Sequence, residues 1–408
     1  MTKSRKQNKN ERKIYLDYAA TTPVDPRVKE EMVQFFSEKF GNASQLYSFG
    51  QEAKEALEQS REQIQSLIKA KDPDEIIFNS GGTEADNTAL KGIMLARWNK
   101  KNHLITSKIE HAAILNTCKY LQKKGIKVTY LPVNEDGLVE PEELKRNITP
   151  ETALVSIMHA NNEIGTIEPI KTLAEISHDY GALFHTDAVQ TVGKIPVNVQ
   201  KLGIDMLSMS SHKIYGPKGI GALYKRKDVR LTPLIHGGGH EKGIRSGTEN
   251  VAGAVGFGKA AEIAQKELHE ERKRLEQLRN KLISNILTIP ETKLNGHRKK
   301  RLPHNANFIF KYIEGEALIL RLDDKGIFAS TGSACSTQSL RASHVLLAIG
   351  LRPEIAHGSL RLTLGRWTTE NEIDYVLDVL PNVVKDLRKL SAFTKETEAK
   401  VRNLKHKH

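Results

Sequence analysis

Seven short strand-like runs in the middle of the chain, most of them separated by helical patterns, constrain its fold more than any other feature. The runs are rich in β-branched and aromatic residues and lie at 75–78, 103–106, 127–131, 153–158, 183–185, 206–209 and 220–224. Helical spacing or helix start signals occupy residues 83–98, 111–124, 141–146 and 170–180. Parallel strands need such crossovers, which then cover the sheet. The pattern predicts an α/β fold whose large domain has a seven-stranded, mostly parallel sheet covered by helices.

The pattern changes after the glycine-rich stretch 236–247. A long charged amphipathic helix is predicted at 259–286, and the runs that follow it at 307–310, 343–349 and 359–364 indicate a smaller α+β unit. We therefore predict a large domain at 23–258 and a small α+β domain at 14–22 plus 259–390. Residues 1–13 and 391–408 are predicted to be basic tails, the first of them disordered.

The net charge of +13 is concentrated in these tails. Residues 1–13 carry six Lys or Arg against one Glu, and residues 385–408 carry eight against three acidic residues. This placement favours solvated ends over specific nucleic-acid recognition, so direct nucleic-acid binding is not expected. No run approaches the roughly 18 apolar residues of a membrane span. Two cysteines cannot form a disulfide framework, and an enzyme that depends on a free thiol suits the cytoplasm.

Two chemically complementary residues end apolar runs. Asp187 follows Ala182-Leu-Phe-His-Thr, and Lys213 follows Asp205-Met-Leu-Ser-Met-Ser-Ser-His. Ligands of such sheets bind beyond the carboxyl ends of the strands, so the carboxylate and the amine are expected to meet. Pyridoxal phosphate needs this pair, because a lysine holds it covalently and an acid keeps its ring nitrogen protonated. Taken singly, Asp187 could instead be a helix N-cap and Lys213 a surface charge.

A phosphate cradle is predicted after the first of the seven runs, in Asn79-Ser-Gly-Gly-Thr-Glu-Ala-Asp-Asn87. Gly82 and Thr83 would place backbone N–H groups and a helix N-terminus against an anion. A glycine turn before a helix is by itself more often only a turn.

Four further side chains are candidates for the same site. His111 opens a helix and could stack on the cofactor ring and move protons, although capping is its default role. Asn162 could donate to the ring hydroxyl oxygen or to the substrate carboxylate, and Gln190 could reach the ring oxygen. Arg361 lies in an alternating strand, and its planar fork suits an α-carboxylate.

Cys335 distinguishes between possible reactions. It lies among small residues in Ser330-Thr-Gly-Ser-Ala-Cys-Ser-Thr337, where a thiolate can meet solvent and substrate, whereas Cys118 lies in an apolar helix and is assigned to the core. A cysteine nucleophile beside this cofactor indicates sulfur chemistry on an amino acid. His236 and His240 have the spacing of zinc ligands, but three glycines separate them and no zinc site is predicted.

The ordered motifs resemble those of the cysteine desulfurases of the NifS/IscS group, within the class V aminotransferases and fold type I of the pyridoxal phosphate enzymes. The similarity extends from residue 14 to about 390. The motifs are Tyr15-Leu-Asp-Tyr-Ala-Ala-Thr-Thr-Pro23, Ser80-Gly-Gly-Thr-Glu84, Glu110-His111, Asn161-Asn-Glu-Ile-Gly165, Asp187-Ala-Val-Gln190, Ser210-Ser-His-Lys213, His236-Gly-Gly-Gly-His-Glu241, Arg245-Ser-Gly-Thr248 and Gly332-Ser-Ala-Cys335.

The resemblance implies a role for each matching residue. Lys213 is similar to the Schiff-base lysine, Asp187 to the pyridinium partner and His111 to the stacking acid/base, while Cys335 is similar to the cysteine that forms the persulfide. The remaining matches are Gln190 and Asn162 for the ring, Gly82, Thr83, Ser210 and His212 for the phosphate, Arg361 for the substrate carboxylate and Thr248 for the phosphate of a neighbouring subunit.

The implied reaction converts L-cysteine to L-alanine and leaves sulfur on Cys335. A homodimer is implied, together with an acceptor of the sulfur, either an iron–sulfur scaffold or a tRNA-thiolation relay. An aminotransferase or a selenocysteine lyase would share the cofactor site, and the aminotransferase would not need Cys335. A non-catalytic sulfur carrier or nucleic-acid-binding module would depend mainly on the basic tails.

Overall fold

A seven-stranded sheet forms the centre of the protein. The computed structural model describes residues 12–332 and 342–392. The strands of the sheet, in chain order, are β2 (Ile76–Asn79), β3 (His103–Ser107), β4 (Lys127–Leu131), β5 (Thr152–Ser156), β6 (Leu183–Asp187), β7 (Met206–Ser210) and β8 (Gly221–Lys225). Their spatial order is β2-β8-β7-β6-β5-β3-β4, and only the pairs that involve β8 are antiparallel. The predicted fold class is confirmed.

Helices cover the sheet as the alternating pattern predicts. They are α1 (Pro26–Ser37), α2 (Ser48–Ile68), α3 (Gly82–Arg97), α4 (Ala112–Lys123), α5 (Pro141–Asn147), α6 (Ile170–Asp179) and α7 (Val251–Ile286). Local sequence explains several helix starts: Asp25 caps α1 ahead of Pro26, and His111 caps α4. All residues of β5, β6 and β7 are buried, which accounts for their continuous apolar character.

A second apolar core is surrounded by shorter helices and strands of the C-terminal half, together with β1. These are β1 (Ile14–Tyr15), β9 (Thr292–Leu294), β10 (Asn305–Phe310), α8 (Gly315–Asp323), β11 (Ile327–Phe328), α9 (His344–Ala348), α10 (Pro353–Ala356), β12 (Ser359–Thr363) and α11 (Glu370–Leu390). β12, β10 and β9 form an antiparallel sheet, and β1 pairs with β11. Thr369 and Glu372 form a capping box at the start of α11.

The long helix α7 belongs to both cores. Ala254, Phe257 and Ala261 pack in the core beneath the large sheet, and Leu275 and Leu282 pack in the second core. The helix begins at Val251, eight residues before the predicted start, so the predicted boundary between 258 and 259 falls inside it. The proposed division into two domains stays a prediction. Residues 1–11 and 393–408 of the predicted tails lie outside the described residues.

The glycine-rich stretch after β8 is attached to the sheet by a buried ion pair. Both Nη atoms of Arg61 donate to the Glu241 carboxylate at 2.9 and 3.0 Å, and the Phe78 N–H donates to the same carboxylate at 2.8 Å. Both side chains are about 95% buried, with 4% and 5% exposure. Loss of Glu241 would leave the buried Arg61 with only the exposed Glu58, whose carboxylate lies 3.3 Å from Arg61 Nε, as an ionic partner.

We expect Glu241→Ala to lower the free energy of unfolding by about 3–5 kcal/mol, because it removes the buried carboxylate that both Nη atoms of Arg61 contact. Chemical denaturation of the cofactor-loaded protein measures the change. Glu142→Ala, which removes the exposed partner of Lys145, is the control and should cost less than about 1 kcal/mol. Equal effects of the two substitutions would contradict the assignment.

Candidate active site

A cleft at the carboxyl edge of the sheet brings together most of the predicted site residues. Its volume is about 240 Å³. The predicted residues that line it are Gly82, Thr83, His111, Asn162, Asp187, Gln190, Ser210, His212, Lys213 and Arg361. Thr248 is exposed and does not line the cleft, and Cys335 lies outside the described residues. Their proposed roles therefore stay predictions.

Asp187 ends β6 at the floor of the cleft. Its Oδ1 accepts a hydrogen bond from the Val189 N–H at 2.9 Å, so the residue also makes the local turn contact that a capping role would require. Burial raises the pKa of this carboxyl, and the nearby His111 and Lys213 act in the opposite direction. A cation in the cleft would therefore stabilise its ionised form.

Lys213 follows the adjacent strand, β7, in a single 3₁₀ turn. Its Nζ donates to the carbonyl oxygens of Ala19 at 2.6 Å and Ala20 at 2.7 Å. These two carbonyls hold the amine over the cleft that Asp187 also lines. The parallel pairing of β6 with β7 thus brings together the acid and the amine predicted from the sequence.

The turn between β2 and α3 has the form of an anion site. Gly81 has a φ of 149°, which favours glycine, and Gly82 is the first residue of the helix. A side chain at Gly82 would approach Val189 Cγ2 to 2.8 Å, so the turn presents bare backbone to the cleft. Backbone N–H groups and the positive end of the α3 dipole favour a bound phosphate here.

Two histidines in the cleft have defined hydrogen bonds. His111 Nδ1 accepts from the Ala113 N–H at 3.2 Å, so the neutral ring carries its proton on Nε2. His212 Nδ1 lies 3.0 Å from Thr21 Oγ1, and burial lowers the pKa of this imidazole to about 4. At neutral pH His212 can therefore offer a phosphate a neutral N–H rather than a charge.

Arg361 and Gln190 already have protein partners. Arg361 in β12 is 4% exposed, and it donates through Nη1 to the Asn162 carbonyl at 2.9 Å and through Nη2 to Asp17 Oδ1 at 2.7 Å. Gln190 Nε2 donates to the Ala19 carbonyl at 3.0 Å. The contact of Gln190 with the cofactor ring stays a prediction. In the structure its side-chain amide contacts the backbone of Ala19.

Sequence reasoning missed three residues at the cleft. Asp17 pairs with Arg361, and the Ala19 carbonyl accepts from both Lys213 and Gln190. Asp86 lines the cleft one helical turn after Gly82. The motifs that contain all three were recognised, but neither helical nor strand periodicity assigns them a contact.

Three buried carboxyl groups lie close enough to interact electrostatically: Asp86, Glu110 and Asp187. Burial and the neighbouring Asp187 raise the pKa of Asp86 well above its usual range. Its Oδ1 has no hydrogen-bond partner within residues 12–332 and 342–392. Burial also raises the pKa of Glu110 to about 8, despite hydrogen bonds from the Ser107 hydroxyl and the Met158 N–H.

Glu110 should make stability fall as the pH rises. The unfolded carboxyl loses its proton near its usual pKa of 4.5 and the folded one near 8, so folding takes up a proton between these values. We expect Glu110→Gln, which cannot ionise, to gain stability relative to the unsubstituted protein by up to about 1.4 kcal/mol per pH unit from pH 5 to 8. Urea unfolding across this range measures the difference, and a constant difference would contradict the raised pKa.

Comparisons with known proteins agree with this geometry. The family model for aminotransferase class-V matches residues 14–376. The chain is 54% identical to the cysteine desulfurase IscS of Dictyoglomus turgidum, over 94% of this chain and 98% of the relative, and 55% identical to that of Clostridium botulinum, over 93% and 96%. A solved NifS-like protein superposes with a TM-score of 0.87 at 42% identity, over 92% of this chain and all of that one.

The chain belongs to the aminotransferase class-V family. Within that family it is a pyridoxal phosphate-dependent cysteine desulfurase of the NifS/IscS group. The resemblance, the enzyme class and the cofactor predicted from the sequence are confirmed.

The cleft residues fit this cofactor. The bare turn at Gly81 and Gly82 suits its phosphate, the buried Asp187 carboxyl suits a protonated ring nitrogen, and Lys213 supplies the amine for covalent attachment. In the part of the chain that the structure describes, no cluster of three or more His, Cys, Asp or Glu could hold a metal ion. No helix in the same part is long and apolar enough to cross a membrane.

We expect Lys213→Ala to abolish covalent attachment of the cofactor, because no other lysine side chain lines the cleft in the described residues. Borohydride reduction followed by peptide mass spectrometry measures the adduct. Lys218→Ala removes an exposed lysine five residues away and should leave the adduct intact. An adduct that persists on another lysine in Lys213→Ala would show that the attachment site is wrong.

Proposed function

We propose that the protein converts L-cysteine to L-alanine and transfers the sulfur to Cys335 as a persulfide, with Lys213, Asp187, His111 and Arg361 in the roles that the resemblance implies. The observation that carries the proposal is the convergence of these four side chains on one cleft that is also lined by Gly332, three residues before Cys335. The substrate carbon–sulfur bond breaks and a sulfur–sulfur bond to Cys335 forms. One substrate thiol and one enzyme thiol give alanine and one persulfide, so no external oxidant is needed.

The chain on both sides of Cys335 is anchored at the cleft. Three residues of extended chain reach about 11 Å, which limits the distance between the Cα atoms of Gly332 and Cys335. On the other side, Ser343 Oγ donates to the buried carboxylate of Glu163 at 2.5 Å, and Glu163 directly follows Asn162 in the sequence. His344 Nε2 lies 3.0 Å from the Glu110 carbonyl oxygen, next to His111. These anchors support delivery of the Cys335 thiol to a substrate in the cleft.

Each polar residue of the cleft has a separate task. When bound, pyridoxal phosphate supplies an electron sink for the bonding electrons of the substrate Cα–H bond. Asp187 keeps a proton on the ring nitrogen, and Arg361 orients the substrate through its α-carboxylate. Lys213 Nζ removes the Cα proton. His111 donates or accepts protons beside the cofactor ring through Nε2, because its Nδ1 accepts a hydrogen bond from the Ala113 N–H and so leaves the proton on Nε2.

A homodimer is supported by an exposed apolar cluster on α1, α2 and the loop between them. Phe36, Phe40, Leu46, Tyr47 and Phe49 are all exposed, Leu46 to 93%, and the rings of Phe40 and Phe49 lie 5.5 Å apart. An apolar cluster of this kind marks an association surface. Thr248 is likewise exposed, and the resemblance assigns it to the phosphate of a neighbouring subunit.

The persulfide is a store of sulfur for a carrier, either an iron–sulfur scaffold or a tRNA-thiolation relay. We place this transfer in the cytoplasm, where thiols stay reduced. The basic residues within 1–13 and 385–408 give an acidic acceptor a weak electrostatic attraction.

We expect Phe36→Ser/Phe40→Ser to shift the protein from dimer to monomer, because the double substitution removes two exposed aromatic anchors. Sedimentation velocity of the cofactor-loaded protein measures the state. Leu95→Ser, at an exposed apolar residue on α3, is the control and should leave the dimer intact. An unsubstituted protein that is monomeric at micromolar concentration would contradict the proposal.

We expect Cys335→Ala to lose release of both alanine and sulfide from L-cysteine while it keeps the visible absorbance of the bound cofactor. Cys118→Ala is the matched control: Cys118 is buried, and burial raises the pKa of its thiol to about 12, so activity should persist. The measurement follows alanine and sulfide together in the presence of a thiol reductant. Alanine release that persists in Cys335→Ala would favour a lyase, and transfer of the amino group to a keto acid would favour an aminotransferase.

A further inference from the structure

The segment Asp17–Thr22 makes several hydrogen bonds to active-site residues, and no sequence pattern predicts these contacts. It runs from the bridge between Asp17 and Thr363 to the turn that carries Lys213. Arg361 donates to the Asp17 carboxylate, and Gln190 and Lys213 both donate to the Ala19 carbonyl. Lys213 also donates to the Ala20 carbonyl, and the His212 ring contacts the Thr21 hydroxyl. The segment is therefore part of the site rather than only a link to the small domain.

Asp17 is the one charged residue of this segment, and it faces the arginine assigned to the substrate. Its Oδ1 accepts from Arg361 Nη2 at 2.7 Å, while Arg361 Nη1 is held by the Asn162 carbonyl. Arg361 Nε has no hydrogen-bond partner in residues 12–332 and 342–392. Since Nε and Nη2 form one edge of the guanidinium, Asp17 occupies half of an edge that can bind a carboxylate with two hydrogen bonds.

The burial of the two side chains differs. The Arg361 side chain is 4% exposed and the Asp17 side chain 21% exposed. A guanidinium this deeply buried needs a compensating anion at all times, because an unpaired buried charge is strongly destabilising. The more exposed Asp17 can turn toward solvent, whereas Arg361 cannot.

A substrate α-carboxylate has the same charge and planar shape as the side chain of Asp17. Both carboxylates on one guanidinium edge would repel each other, and only one of them can take Nε and Nη2 together. Exchange of one carboxylate for the other keeps the buried charge compensated before and after substrate binding.

We propose that Asp17 is a placeholder carboxylate, a positioning residue that holds Arg361 before substrate binds and then gives up Nη2, so that the α-carboxylate of the substrate takes Nε and Nη2 together. This inference rests on the proposed role of Arg361 in substrate binding. The exchange makes Asp17 a competitor of every ligand that carries an α-carboxylate, and it leaves amines without a carboxylate unaffected. Asp17 therefore lowers the affinity of Arg361 for carboxylate ligands and leaves the binding of simple thiol amines unchanged.

The test compares two ligands on the cofactor-loaded enzyme. L-Alanine carries the carboxylate and no sulfur, and ethylamine is the same molecule without the carboxylate. Dissociation constants come from the change in the absorbance of the bound cofactor, so the readout does not depend on turnover. We expect Asp17→Asn to bind L-alanine about tenfold more tightly, the gain from one charge-assisted hydrogen bond that is no longer contested. Ethylamine binding should not change.

Two further variants keep the test decisive. Asp17→Glu retains a competing carboxylate and should bind L-alanine like the unsubstituted enzyme, and this variant also serves if Asp17→Asn folds poorly. In the Arg361→Gln background, Asp17→Asn should give no gain, because the contested donor is gone. Weaker L-alanine binding by Asp17→Asn, or an equal change for both ligands, would overturn the exchange.

Failure of this inference can be distinguished from failure of the proposed function. If the unsubstituted enzyme released no sulfide from L-cysteine, the proposed function would fail while the difference between alanine and ethylamine could still be measured. If sulfide were released and Asp17→Asn bound both ligands as before, only the placeholder role would be lost.

Discussion

The parallel pairing of β6 with β7 is the constraint on which the rest of the site depends. Its register places Asp187 opposite Ser208, so the two strands end at the same edge with an acid on one and Ser210 followed by the Lys213 turn on the other. The Asp187 carboxyl is buried there, so its charge is set against the neighbours that the strand fixes around it. Burial raises the pKa of this carboxyl, so its ionisation is sensitive to any cation that enters the cleft.

The sequence was sufficient for the parts of the molecule that follow a regular period. The seven strands, the four intervening helices and the residues at the strand ends were predictable, because burial on both faces produces continuous apolar runs and parallel strands share one functional edge. The start of α7 was not, since Val251 to Gly258 contains three glycines and has little helix propensity. The structure explains the difference: Gly256 and Gly258 lie against Met32 and Ser60, where a Cβ would meet neighbouring atoms at less than 3 Å. Close packing with α1 and α2 outweighs propensity there.

Contacts between distant segments were the other limit. The pairing of β1 with β11 joins residues more than 300 positions apart through only two residues on each side, and no period reveals it. Asp17, Ala19 and Ala20, which contact the site, follow β1 directly, and Asp17 forms a bridge with the equally distant Thr363. Asp86 shows a related limit. Its helical position was evident, but only the packing of α3 against the sheet leaves its Oδ1 without a hydrogen-bond partner among the described residues. Polar groups of this kind are recognised once burial is known, and burial is a tertiary property.

The helix α7 also has a consequence for how the chain folds and how it can be divided. Its N-terminal half completes the core beneath the large sheet, and its C-terminal half completes the core of the small unit. A cut anywhere along its 36 residues would expose an apolar stripe on at least one fragment. The two cores therefore share one helix, and a fragment that contains either core alone would need the matching half of α7 to complete its apolar packing.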